Sequence, residues 1–289
     1  MAYLDYNGLS RFKDKIFEAI ASQYSNPNLL INSNFAINQR GKSNYTGSAS
    51  VWVYTVDGWR IRGSGSSYNV STNVVTLSNN AFDQKIELPS YLKGKKVTVS
   101  MNVSNVSGSL TLRTHDGITE NSATLSNGTV TKTITVASNA TKFRVYVFGT
   151  GSFTPNWAKV EVGEIATLYS PPIISEEIEK CKRYFYILNN NQSQGYFQMG
   201  IIFGDGTNAR MLLYNAFRIA PTASMSGNLH VYANGYKTVT GVGVQSYGKE
   251  YITVWLGLAS ALDNGVIGYL QANDSASATI EFDASDYDD

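Results

Sequence analysis

Between residues 96 and 103, Val97, Val99, Met101 and Val103 alternate with Thr98, Ser100 and Asn102. A two-residue period places alternate side chains on opposite faces, so this stretch must fold as a half-buried antiparallel strand. Phe143, Val145 and Val147 repeat the pattern, while Tyr146 and Phe148 make the other face partly aromatic. Short alternating runs of this kind fill residues 28–169 and resume from 184 to 282, punctuated by Gly, Asn, Asp and Pro. Many strands without intervening helices predict an all-β protein built from β-sandwiches. Expected strands include 49–54, 59–62, 74–77, 82–87, 96–103, 109–114, 142–148 and 157–165, with Asn79-Asn80 and Lys93-Gly94 as breaks. The second block is expected to turn at Asp205-Gly206 and Asn234-Gly235 and to contain strands at 195–203, 209–217, 222–231 and 251–258.

Two segments break the β pattern. Residues 9–22, LSRFKDKIFEAIAS, carry Phe12, Ile16 and Ile20 at a four-residue interval, with Phe17 widening the stripe and Ser10 placed to cap the start. A helix this short is marginal alone in water, so the stripe needs a partner: the downstream domain, a sister helix or a larger assembly. The second helix follows Pro171-Pro172. Glu176 and Glu177 open it and Lys180, Lys182 and Arg183 close it, matching the helix dipole. The resulting organisation is a helical stub at 1–27, a jelly-roll-like antiparallel sandwich at 28–170, and a linker helix with a second sandwich at 171–289.

At 289 residues the chain is long enough for both cores. Only 16% of residues are charged and the formal net charge is +1, so nothing draws in a polyanion and nucleic acid is not an expected partner. No apolar run reaches the roughly 18 residues of a membrane helix, and membrane insertion is not expected. The opening MAYLDYNGLSRFKDKIF lacks the pattern of a secretory signal. The single cysteine, Cys181, reads as a small buried hydrophobe. Nineteen tyrosines and four tryptophans exceed the needs of a core, which places some rings on recognition surfaces.

NLLINSNFAINQRG at 28–41, followed by Asp57-Gly58-Trp59-Arg60, resembles the opening of modules from bacteriophage and prophage tail-fibre proteins. The run from Trp157 through Val160-Glu161-Val162-Gly163 resembles the closing strand of that family. Ser175-Glu176-Glu177 and Cys181-Lys182-Arg183-Tyr184-Phe185 resemble its acidic–Cys–basic–aromatic helix. The resemblance implies a virion tail or receptor-binding component, carried by a phage or a prophage. It also implies a homotrimer with a carbohydrate-binding jelly-roll module, bacterial surface polysaccharide as the partner, and contacts to other tail or baseplate proteins. Long tail fibres carry large shafts and this chain has only a stub, which implies a compact distal tip or a part docked on another fibre or baseplate protein.

Sugar recognition needs flat rings for C–H faces and planar polar groups for hydroxyls. Trp52, Tyr54, Trp59 and Tyr68 supply rings in the first module, with Asn44, Tyr45 and Arg62 as polar neighbours; Trp52 and Trp59 read equally as core residues. In the second module Tyr232 and Tyr236 flank Asn234-Gly235, and Trp255 adds an indole. No cofactor is expected. Asn32, Asn34, Asp57 and Glu161 are oxygen donors of the kind a calcium ion at a sandwich edge takes, but scattered Asn and Asp mostly cap turns in such folds, and the sequence assigns no ligand set. The chain has neither a GxSxG elbow nor an HExxH helix, and His115 and His230 read as structural. The expected protein is therefore not an enzyme. Two rival readings are a structural tail or baseplate adaptor without glycan binding, and a polysaccharide-degrading appendage with a carboxylate pair, for which Asp57, Asp83, Glu87 and Glu161 are too sparse a set to assign one.

Overall fold

The computed structural model describes residues 6–21, 24–87, 90–189, 202–233, 235–263, 267–272 and 278–285. The fold is all-β with two short helices. By backbone contact the chain divides into two units, Met1–Glu177 and Ile178–Asp289.

The first unit opens with α1 (Tyr6–Ala21). The helix begins a turn before Ser10, which therefore lies within it and caps nothing. Leu9, Phe12, Ile16 and Phe17 are exposed; the Ile20 side chain lies outside the described residues. The strands follow as β1 (Asn44–Thr46), β2 (Val53–Tyr54), β3 (Arg60–Ile61), β4 (Ser67–Asn69), β5 (Val74–Ile86), β6 (Lys96–His115), β7 (Glu120–Thr124), β8 (Gly128–Thr135) and β9 (Phe143–Val162). They form one antiparallel sheet of order β1-β4-β5-β9-β6-β7, with β3 on β5, β2 on β3 and β8 on β6.

Three gaps between expected strands, one of them the expected break at Asn79-Asn80, lie inside continuous strands. Residues 74–77 and 82–87 merge because Asn79 takes a φ of 47°, and a register shift between Leu77 and Asn80 absorbs the irregularity. Asn tolerates the left-handed region at low cost, so a pair of asparagines can bend a strand without ending it. The expected strands 96–103 and 109–114 join in β6 through shifts between Asn102 and Ser107, and 142–148 joins 157–165 in β9. At this bend β6 and β9 approach closely. A Cβ on Gly151 (φ 148°) would lie 2.0 Å from the Ser107 carbonyl oxygen, so only glycine fits.

The bend folds the sheet over itself. Residues 96–103 of β6 pair with β8 and with the end of β9; residues 107–115 pair with β7 and with its beginning. Inward side chains of both halves form one core, with Val97, Val99 and Met101 on one side and Leu77, Phe82, Val145 and Val147 on the other. Phe82 is its hub. The Trp59 indole stacks on it at 5.1 Å, Tyr68 and Phe153 meet it edge-on, and Phe35 lies at 6.1 Å. Each large ring buries enough apolar surface to contribute about 2–3 kcal/mol.

Helix α2 (Ile174–Lys182) carries Glu176 and Glu177 in its first turn and Lys180 and Lys182 in its last. The second unit contains β10 (Phe185–Asn189), β11 (Ile202–Tyr214), β12 (Thr222–Ser226), β13 (Leu229–Tyr232), β14 (Tyr236–Tyr247), β15 (Tyr251–Leu262), β16 (Ile267–Ala272) and β17 (Thr279–Asp283). Strands β11-β15-β14-β13-β16 close a circuit, and β10-β17-β12 form a smaller sheet. Ile252, Val254 and Leu256 share a core with Leu188, Ile280 and Phe282. Asp205-Gly206 is no turn: it lies within β11, at a register shift against β15. The expected strand 222–231 is divided at Gly227, whose φ is 72°. Residues 195–201 and Asn234 lie outside the described residues.

Candidate functional site

The alternation that sends Val145, Val147, Phe82 and Leu112 inward sends their neighbours outward, and the register lines those neighbours up. Arg60 of β3 pairs with Asp83 of β5, Asp83 with Tyr146 of β9, Tyr146 with Arg113 of β6, and Arg113 with Ser122 of β7. One step along, Ala81 lies opposite Phe148, and Phe148 opposite Thr111. The residues before β2 lay Trp52 over one end of this row. A pocket of about 340 Å³ results, lined by Trp52, Arg62, Asn80, Arg113, Glu120, Arg144, Tyr146 and Phe148 with Ala49 and Ala81. Its volume lies at the low end for ligand sites, which run from about 300 to 1,000 Å³.

Beneath Trp52 the guanidinium of Arg60 donates to both oxygens of Asp83, at 2.7 and 3.1 Å, and both groups are buried. Arg144 approaches the same carboxylate at 3.2 Å. The Trp52 ring lies 4.5 Å from the Arg60 guanidinium, 5.0 Å from that of Arg144 and 5.9 Å from that of Arg62. Arg144 also stacks on Tyr146, and Arg113 on Phe148, each at 4.3 Å. Such contacts are worth about 0.5–2 kcal/mol and hold the rings and cations in place before any ligand arrives. Arg113 donates to Glu120 at 2.8 Å, and the Tyr146 hydroxyl donates to the other Glu120 oxygen. That hydroxyl, with Arg113, holds the Glu120 carboxyl below its usual range. Burial, then the Glu120 hydrogen bond and charge, push the Tyr146 phenol up to about 12.

The sequence candidates separate sharply. Trp52 is half-buried in the pocket wall. Trp59 and Tyr68, each 1% exposed, belong to the core around Phe82 and offer no surface to a ligand. Trp59 Nε1 donates to the Asn32 carbonyl, which explains an indole at that landmark. Tyr54 stands apart, under the Arg40 guanidinium at 5.2 Å. Arg144, Arg113, Glu120, Tyr146, Phe148 and Asn80 were missed by sequence reasoning; the signal for three of them was the outward series Arg144, Tyr146, Phe148.

In the second unit Tyr232 pairs with Tyr236 across the β13–β14 hairpin, and their rings meet edge-on at 5.0 Å. Tyr269 stacks on Tyr232 at 5.2 Å and the His230 ring lies 5.8 Å from Tyr236, giving a surface cluster of rings. Trp255 lies elsewhere on the barrel, 36% exposed, with Gly241, Gly243 and Gly257 against its ring. Its Nε1 donates to Asn208 Oδ1 at 2.7 Å.

The calcium donors do not present free oxygens as a set. Asp57 accepts from the Gln39 backbone and side-chain amides, and Asn32 Oδ1 accepts from the Ile37 amide. Glu161 accepts from both the Thr167 amide and hydroxyl and pairs with buried Lys159 at 3.3 Å. Asn34 Oδ1 is buried and accepts no hydrogen bond among the described residues. No group of three or more His, Cys, Asp or Glu side chains is placed to hold a metal among the described residues. Asp57, Asp83 and Glu161 are each buried against partners of their own, so the structure does not join them into a carboxylate pair on a cleft.

No family model and no curated protein matches the chain. Solved structures that it resembles include one described as "CBM4 structure and function", at 16% identity over 46% of this chain and 98% of that one, with a TM-score of 0.29. TmCBM61 in complex with β-1,4-galactotriose is similar at 16% identity, 47% and 99% coverage and a TM-score of 0.27. The tandem CBM22-1–CBM22-2 domain from Paenibacillus barcinonensis Xyn10C is similar at 10% identity, 90% and 97% coverage and a TM-score of 0.29. At these scores the likeness carries no argument about fold, ligand or residue roles.

Proposed function

We propose that this chain is a glycan-binding adhesin that contacts saccharide through the Trp52 pocket. The observation that carries this reading is the outward row on the folded sheet. An indole, a phenol and a phenyl ring converge there with guanidiniums, an amide and a carboxylate, around an open pocket. Saccharide needs that mixture, since ring C–H groups pack on aromatic faces while hydroxyls exchange hydrogen bonds with planar polar groups. The Arg60–Asp83 pair and the stacked cations fix the site in advance, which lowers the ordering cost of binding.

The tail-fibre landmarks at 28–41, 57–60 and 157–163 support placing this adhesin in a bacteriophage or prophage tail, with bacterial surface polysaccharide as its target. The exposed apolar stripe of α1 supports assembly into a homotrimer, whose three weak sites would act together. A second saccharide contact at Trp255 is supported by the indole resting on a glycine-lined sheet with its Nε1 anchored. The test is a glycan array probed with the intact chain, Trp52→Ala and Trp255→Ala. Binding lost in Trp52→Ala and only weakened in Trp255→Ala is the expected result. An array blank for the intact chain, with a stable complex to another tail protein, would replace this reading with that of a structural adaptor.

A further inference from the structure

The cations of the pocket outnumber the carboxylate that faces them. Arg62, Arg113 and Arg144 line it, and Glu120 is its one acidic lining residue. Arg113 is matched to Glu120. Asp83, below, already accepts two hydrogen bonds from Arg60. Arg144 Nε lies 3.2 Å from that spent carboxylate, as an ion pair without hydrogen-bond geometry, and among the described residues this buried Nε makes no hydrogen bond. Arg62 has no ion pair among the described residues, and its guanidinium stands 5.9 Å from the Trp52 ring. The whole chain carries a formal charge of only +1, so this excess is local.

We propose that the Trp52 pocket selects an acidic saccharide, whose carboxylate or phosphate is held by Arg62 and Arg144 beside the aromatic wall. The proposal rests on the glycan-binding reading and specifies its ligand class. A guanidinium presents a planar fork of N–H donors that fits either oxyanion, and in a half-buried site such bonds are stronger than neutral ones. A neutral sugar would leave both forks facing hydroxyls alone. Glu120 does not cancel them, because Tyr146 and Arg113 occupy its oxygens.

The experiment is calorimetry on the intact chain with three probes: oligogalacturonate, its fully methyl-esterified form, and a phosphorylated mannooligosaccharide. The esterified form keeps the ring and loses the charge. Expected is binding of a charged probe at least about tenfold tighter than the ester, the scale of one charge-assisted hydrogen bond, and weakening with added salt. Whichever charged probe binds identifies carboxylate or phosphate as the source. Arg62→Gln should remove most of the preference without moving the thermal midpoint, and Arg62→Lys should restore part of it. Equal affinity for acid and ester, both lost in Trp52→Ala, would overturn the proposal and leave the glycan reading standing. A preference unchanged in Arg62→Gln would also overturn it. Failure of every probe to bind would overturn both.

Discussion

Asp83 lies at the centre of a buried charge arrangement. It is fully buried, doubly bonded to Arg60 and approached by Arg144, and Trp52 lies over the guanidiniums. Removing it leaves two cations without their counter-charge, one of them buried, and breaking a buried pair in this way costs about 3–5 kcal/mol. Asp83→Ala should lose stability on that scale in urea unfolding; a loss under about 1 kcal/mol would contradict the arrangement. Tyr146 offers a spectroscopic check. Its folded phenol titrates near 12, above the ordinary 10, so the stability linked to it is complete below the ordinary value and declines as pH rises through about 12. Glu120 has the opposite sign: its contribution is present at neutral pH and is lost as acid takes the pH down through its lowered value. Carbon-detected NMR of labelled tyrosine should place Tyr146 near 12, and Glu120→Gln should bring it down while burial keeps it above the ordinary value. A Tyr146 midpoint indifferent to Glu120→Gln would contradict the contact.

At the scale of elements, alternation revealed the strands because a folded sheet must bury one face, and Val97 to Val103 could lie no other way. It did not reveal their lengths. Asn79-Asn80 looks like a break because asparagine favours turns, yet a residue tolerant of positive φ also permits a bulge, and only the partner strand decides between them. The pocket was half legible for the same reason. Arg144, Tyr146 and Phe148 advertise an outward aromatic-basic face, but their convergence with Arg113 and Trp52 depends on register between strands far apart in sequence. Trp59 and Tyr68 show the converse, since a ring chosen for recognition by type alone proved to be packing around Phe82. Helix α1 keeps Leu9, Phe12 and Ile16 exposed in the single chain, at the three- and four-residue spacing of a coiled-coil seam. Light scattering should give a trimer mass for the intact chain and a monomer mass once residues 1–27 are removed. A trimer that survives the deletion would exclude α1 as the principal oligomer contact.

For the molecule as a whole, the proposed function is contact with a saccharide through rings and cations held on β-sheet. Two β units each hold rings on a rigid sheet, one in a cationic pocket and one as an indole on glycines, beneath a surface nearly neutral overall. A scaffold of this kind loses little entropy on binding because its contact groups are already fixed, and weak sites gain by being repeated in an assembly. The decisive measurement is nitrogen-15 NMR of the Trp indole and Arg Nε–H groups, with the saccharide selected on the array titrated into the intact chain. Saturable shifts at Trp52, Arg62, Arg113 and Arg144, with the Trp59 indole barely moved, are what a ligand in the pocket predicts. Shifts confined to Trp255, or none at saturating saccharide, would contradict it.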